Sequence, residues 1–382
     1  MATFGSPVSK LIELLSAKSQ NPSLNIVDAI LSYLGIADIY ALHAACRSLR
    51  WLVGHMTSSP SLLNINKQLD PFVKDPARFR YELGKHDALI AGEFVRNFFE
   101  FGWWTVPSLL VYVRRGCNSE GFTNYLRDNE GYCAEPGQHK IYRREGLRER
   151  CIVIMPTPDS PIVEIINTAL TTAGANVISW NKAYSLFPIL TIMLHKFYPL
   201  KPFDNKFSQT LQRYAKRGWT TRDILWPDLT DHGIPQKECR QISDSNSLII
   251  ELGHSPRGNF TPDYILESAI FSVIREANNT SGRGRTLSMS IEPVRSIALR
   301  YTHTNGASGT YCKRWEKFLH ERLDRWIYIE IVRLNPEQRP RGFYWTSGQY
   351  HVSIPQTYTL PDTWDYADDQ MIAWFREWER KM

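Results

Sequence analysis

Residues 86 to 113 read HDALIAGEFVRNFFEFGWWTVPSLLVYV, and the order of chemistry along this stretch decides the fold. Ala88 to Ala91 is an apolar run long enough for one short buried strand, and Gly92 ends it as a turn. Glu93 to Phe101 follows as a helix. After a Trp-containing loop, Ser108 to Val113 forms a second strand with Leu109-Leu110-Val111-Tyr112-Val113 as its body. Strand, glycine, helix, loop and strand in this order set an alternating α and β layout for the middle of the chain.

The same alternation continues downstream. Gly121 to Asp128 reads as helix, Cys151 to Met155 as strand, Pro161 to Thr172 as helix and Asn176 to Trp180 as strand. Beyond about residue 205 the chain is rich in Trp, Pro and charge. Strands are expected near Leu248 to Leu252 and Trp326 to Val332. A final helix is expected over Trp364 to Lys381, docked through Trp374, Phe375 and Trp378. Upstream the pattern is helical. Residues 7 to 18 place Val8, Leu11, Ile12 and Leu15 on one face. A second helix carries Ile26, Val27, Ile30, Leu31 and Leu34 and stops at Gly35. Asp38 is the expected N-cap of a third helix, in which Ile39, Leu42, Cys46, Leu49 and Val53 recur at spacings of three and four. The expected fold class is therefore α+β. Residues 1–20 hold a first helix, 21–60 a helical hairpin, 61–230 a mixed sheet with helices, and 231–382 a C-terminal α+β region.

Composition narrows the function classes. The 382 residues are 43% hydrophobic and 22% charged, close to ordinary folded proteins. The cysteines Cys46, Cys117, Cys133, Cys151, Cys239 and Cys312 are scattered without paired spacing, which excludes a disulfide framework and a zinc motif. Reduced thiols fit a cytoplasmic or nuclear protein. The first twenty residues have no secretory or mitochondrial pattern, and no apolar stretch approaches the roughly 20 residues of a membrane span. A net charge of +6 spread over this length is a weak attraction for nucleic acid.

A polymerase-beta-type nucleotidyl transfer site has three requirements. A Gly-Ser turn at a helix start faces the triphosphate. Two carboxylates at i and i+2 of the next strand share a face, because strand side chains alternate. Those carboxylates hold the metal ions that brace the phosphoryl displacement. Residues 86–113 have the matching layout, through Ile90-Ala91-Gly92, Phe98-Phe99-Glu100 and Val111-Tyr112-Val113. Further blocks are Asn64-Ile65-Asn66, Asp70-Pro71-Phe72-Val73, Asn176 to Trp180, Ala183 to Pro188 and Lys216-Arg217-Gly218-Trp219. Over about residues 60–230 the chain resembles fungal proteins with a nucleotidyltransferase-like fold. The departures from that pattern bear on chemistry. The serine after the glycine is Glu93, and the two acidic positions fall on Ser108 and Leu110. The resemblance thus implies a vestigial nucleotide site at Gly92, Glu93, Ser108 and Leu110, with no catalytic residue, no metal and no cofactor.

In such fungal proteins a helical hairpin commonly precedes this part, and residues 22–56 resemble an F-box. That module offers an apolar helical stripe to a Skp-type adaptor of cullin ubiquitin ligases. The stripe here is Ile26, Val27, Ile30, Leu31, Leu34, Ile39 and Leu42. Ser23-Leu24-Asn25 stands where the family opens with Leu-Pro. The reading that follows is a non-catalytic adaptor, a pseudoenzyme that recruits the ligase and holds a client protein. The competing account of the hairpin is a cap on the domain behind it.

Two other functions compete. Asp87, Glu93 or Asp159 as relocated acids would make the chain a divergent nucleotidyl or phosphoryl transferase. Basic residues at Lys140, Arg143, Arg144, Arg148 and Arg150, at Arg213, Lys216, Arg217 and Arg222, and at Arg283 and Arg285 would suit a nucleic-acid binder, with Tyr142, Tyr214 and Trp219 as stacking platforms. Interspersed Glu145, Glu149 and Asp223 favour a solvated face instead. Gly282-Arg283-Gly284-Arg285 reads as a loop. Gly306-Ala307-Ser308-Gly309 reads as a turn between two strands, without the lysine of a Walker loop. His195 reads as a satisfied histidine and not as a catalyst.

Overall fold

The computed structural model describes residues 12, 14, 15, 24–59, 61–136, 138–146, 149–201, 205–220, 238–276, 286–340, 354 and 358–382. Most of the helix expected over 7–18 lies outside the described residues, as do Arg148, Arg222 and the Gly282 to Arg285 loop. The chain divides into two compact units. One is Met1–Pro235 with Ser243–Phe260 and Glu276–Leu287; the other is Gln236–Ile242 with Thr261–Arg275 and Ser288–Met382.

The first unit begins with helices. α1 (Leu24–Leu31) and α2 (Ile36–Ala45) meet at a bend of 118°. Asp38, expected as an N-cap, sits three residues after Gly35, and its carboxylate accepts the Gly35 N–H at 3.0 Å. Reaching back from the third helical position, it satisfies an amide that the helix itself leaves open. The helix expected to run on to Val53 is broken. Cys46 is extended, a 3₁₀ turn covers Arg47–Leu49, and α3 (Trp51–Ser58) starts anew. The Cys46 thiol and Ser48 hydroxyl meet at 2.9 Å across the break, a local bond that competes with helix continuation. Asp28 of α1 ties the bundle together, taking hydrogen bonds from His55 (2.6 Å), Ser59 (2.6 Å) and Ser61 (2.5 Å).

The elements behind the bundle are α4 (Ile65–Leu69), α5 (Pro76–Lys85), β1 (Leu89–Ala91), α6 (Glu93–Phe99), β2 (Ser108–Arg114), α7 (Cys117–Tyr125), β3 (Tyr132–Glu135), β4 (Gln138–Arg144), β5 (Cys151–Thr157), α8 (Pro161–Thr168), β6 (Val177–Ile178), β7 (Lys182–Ser185) and α9 (Asn205–Ala215). Asp75 caps α5 by accepting the Arg78 N–H at 2.9 Å, with Pro76 in the first turn where its missing N–H costs nothing. With β9 (Leu248–Glu251) the strands form one mixed sheet in the order β3-β4-β5-β2-β1-β6-β7-β9. β2 and β5 run parallel in the register Ser108↔Cys151, whereas β1 pairs antiparallel with β2 through Ala91↔Leu110. Leu109, Val111 and Val113 are fully buried on one face of β2, so Ser108, Leu110 and Tyr112 point to the other.

One element was not expected here, and one boundary changes. The β3–β4 hairpin carries the basic residues around Arg143, and its polar composition conceals the strands. Leu248 to Glu251, assigned to the C-terminal region by the boundary at 230, is an edge strand of the central sheet, because its backbone pairs with β7 through Tyr184↔Ile249. The helices of residues 24–58 share a hydrophobic core with the sheet. Val27, Leu31, Ile39, Leu52 and Met56 cluster with Ile90, Phe98 and Val111.

The second unit holds β8 (Cys239–Gln241), α10 (Asp263–Glu267), most of β10 (Ile270–Glu276) and of β11 (Thr286–Ser290), β12 (Glu292–Val294), β13 (His303–Asn305), α11 (Thr310–Arg333) and α12 (Met371–Lys381). The strand expected over Trp326 to Val332 is the end of α11. Its β-branched and aromatic residues read locally as strand, yet Cys312, Trp315, Leu319, Leu323, Ile327 and Ile331 all bury along one helical face. The Gly306 to Gly309 turn joins β13 to this helix, not strand to strand. α12 starts at Met371 rather than Trp364, and Trp374, Phe375 and Trp378 are buried against Trp315 and Trp326. The described fold is α+β, with an N-terminal helical region and a large mixed sheet.

Candidate functional site

Gly92 links β1 to α6 at φ +80 and ψ −143, a conformation that side-chain-bearing residues rarely adopt. A Cβ added there would lie 3.3 Å from Leu110 Cδ2. The strand end, the glycine and the helix start are thus packed directly against the Ser108–Leu110 edge of β2. Gly92, Glu93, Ser108 and Leu110 all line one cavity of about 270 Å³, closed on its far side by α8, α9 and the turn around Thr171. The four residues read from the sequence as one site are therefore neighbours in space.

The electrostatics of the cavity come from residues distant in sequence. The Glu93 carboxylate pairs with Arg217 and lies 3.8 Å from Arg213 Nη1. Arg96, one helical turn beyond Glu93, is 7% exposed, and its Nε has no hydrogen-bond partner. Its guanidinium lies 4.1 Å from the Tyr214 ring centroid and 5.9 Å from that of Trp219, while Arg217 stacks 4.7 Å over Trp104. Burial lowers the Arg96 pKa below the usual guanidinium range. Tyr214 and Glu93 oppose that shift, and Arg217 and Arg213 add to it.

No carboxylate stands on the cavity face of β2, where Ser108 and Leu110 supply a hydroxyl and an alkyl group. Of the candidate relocated acids, Glu93 lines the cavity and Asp87 and Asp159 do not. Among the described residues no group of three or more His, Cys, Asp or Glu side chains could hold a metal ion.

Two of the three candidate stacking residues are withdrawn from the surface. Tyr214 and Trp219, candidate stacking platforms, are 4% and 6% exposed; they cover Arg96 and are closed to a base. On β4, Arg143 pairs with Glu135 at 3.3 Å and Arg144 with buried Glu130 at 3.4 Å. His195 Nε2 binds Glu100 at 2.9 Å, and that hydrogen bond raises its pKa. The histidine has a carboxylate partner and faces the Trp219 ring, 5.8 Å between centroids.

Residues of the apolar helical stripe separate into two groups. Val27, Leu31 and Ile39 are 0% exposed within the chain's own core, which corrects their assignment to a partner-facing surface, because a side chain without exposed area cannot contact a second protein. Ile30, Leu34 and Leu42 are half-buried against that core. Leu24, Ile26 and Tyr33 remain exposed, Tyr33 to 87%.

Sequence reasoning missed Arg96. The available signal was a single cation, with Asn97 beside it, inside the largely apolar and aromatic run Phe94 to Phe99. It also missed a second cavity of about 370 Å³ lined by Lys67, Gln68, Phe94, Trp103, Trp104 and Arg150. There the Gln68 amide and Trp104 Nε1 lack partners, and Phe101 takes a left-handed φ of 54°. Among the described residues no single helix is long and apolar enough to cross a membrane. No known family, no curated protein and no solved structure matches this chain.

Proposed function

We propose that the chain is a non-catalytic adaptor, in which an F-box-like helical hairpin is joined to a nucleotidyltransferase-like domain that no longer holds metal. The observation that carries the non-catalytic half is the pair Ser108 and Leu110, which face the cavity beside Gly92 where phosphoryl transfer requires two anions. A magnesium ion needs several oxygen ligands in near-octahedral array, and the cavity face of β2 offers the hydroxyls of Ser108 and Tyr112 but no carboxylate.

The adaptor half rests on the N-terminal helices. With Val27, Leu31 and Ile39 turned inward, the large apolar groups left exposed for a Skp-type adaptor are Leu24, Ile26 and Tyr33. The remainder of the chain would then hold a client protein. Co-expression with a Skp-type adaptor tests this. The expected result is co-purification of the two proteins, reduced about tenfold or more by Ile26→Asp. Ile26 is half-exposed, so the substitution should leave the fold intact. Absence of co-purification, or retention that Ile26→Asp and Tyr33→Asp both leave unchanged, would show that the helices serve only to cap the sheet.

A further inference from the structure

The cavity beside Gly92 has more cation than its own acid can neutralise. Arg96 and Arg213 line it, Arg217 pairs with Glu93 from outside the lining, and Glu93 is the carboxylate that acts on Arg96 among the described residues. Three positive charges against one leave an excess of two. Arg213 is half in solvent and screened, but Arg217 and Arg96 are not. Glu93 is engaged by Arg217. Arg96 is thus left with two aromatic faces and no hydrogen-bond acceptor at Nε. A guanidinium largely withdrawn from water, with a buried N–H left unmet, is costly unless an anion joins it.

We propose that this cavity binds a small dianion, a phosphate or a small phosphomonoester, held by Arg96 from within and Arg213 at the rim. Size and chemistry agree on the ligand class. At about 270 Å³ the space lies just below the roughly 300–1,000 Å³ of sites for drug-sized ligands. Guanidinium forks match phosphate oxygens in pairs. Ser108 and Thr210 place hydroxyl groups on the same lining. The anion binds without metal, and no transfer step follows. The inference rests on the arginine geometry and does not depend on the adaptor reading.

The test is thermal unfolding and titration calorimetry of the full chain with inorganic phosphate, against chloride at equal ionic strength. Phosphate at about 10 mM should raise the unfolding midpoint by mass action where chloride does not. Arg96→Met should abolish the effect, and Arg213→Ala should weaken binding about fivefold. Glu93→Gln should tighten binding about tenfold, since it releases Arg217 and removes a like charge. That gain is one a purely structural role for Glu93 would not give. A phosphorylated sugar as a second probe separates the two sources. A shift equal to that of phosphate assigns a monoester; no shift assigns the free ion. Binding of phosphate no stronger than chloride, equal binding by Arg96→Met, or weaker binding by Glu93→Gln would overturn the inference while leaving adaptor co-purification untouched. Magnesium-dependent binding of a nucleoside triphosphate in preference to phosphate would overturn both the inference and the non-catalytic reading.

Discussion

Arg80 and Arg96 lie in the same compact unit, both on helices and both withdrawn from water, and their surroundings could hardly differ more. Arg80 has no exposed area, and its guanidinium is filled by acceptors. Nε donates to Trp180 O at 2.9 Å. Nη1 donates to Asn66 Oδ1 at 3.1 Å and Gly253 O at 2.9 Å, and Nη2 to Ser255 Oγ at 3.1 Å. Arg96 has aromatic faces and other arginines around it. The first arrangement is a clasp. It joins α4, the turn between β6 and β7 and the loop after β9, and it fastens the left-handed backbone of His254, at φ 50. The second is an incomplete site. Burial lowers both guanidinium pKa values, that of Arg80 to about 10, so burial alone does not tell structure from function. The acceptors do.

Substitution should separate the two. Arg80→Met leaves several buried acceptors without donors, at about 1–3 kcal/mol for each that water cannot reach. The expected loss is about 3–5 kcal/mol in denaturant unfolding. Arg96→Met removes an uncompensated charge and one or two cation–π contacts, terms of opposite sign. The expected change is within about 1 kcal/mol either way. Equal losses at the two positions would mean that Arg96 is structural and the comparison fails.

The same contrast explains what could be read from the sequence. Gly92 and its flanking strands were legible because each lies within a few residues of the feature that defines it, an apolar run or a turn glycine. Ser108 and Leu110 were legible for the same reason, since alternation along β2 sets their common face. The cavity's cations were not. Arg96 meets Tyr214, and Glu93 meets Arg217, only after the chain has passed through the sheet, and no local pattern encodes that meeting. β9 pairs with β7 across a long separation, so its place in the central sheet was equally hidden. The end of α11 failed for a different reason. Trp326 to Val332 is locally strand-like, and the buried spacing from Cys312 to Ile331 decides for helix only over its full length.

The smallest expected effect lies in the N-terminal bundle, where Asp28 is a partly buried polar group and is satisfied in the manner of Arg80. Burial alone would raise its pKa, but hydrogen bonds from Ser59, Ser61 and His55 outweigh it and hold the carboxyl below the usual carboxylate range. A depressed folded-state pKa stabilises the protein above the unfolded value, near 3.9 for aspartate, and that contribution is lost as pH falls through the folded value. Asp28→Asn should therefore lower the unfolding midpoint at pH 5 to about 7, and the gap to wild type should close below about pH 4. A gap that stays constant down to about pH 2.5 would mean that the ionised carboxylate contributes nothing. The three donors would then hold the amide of asparagine as firmly as the anion, and Asp28 would tie the bundle by shape and hydrogen bonding alone.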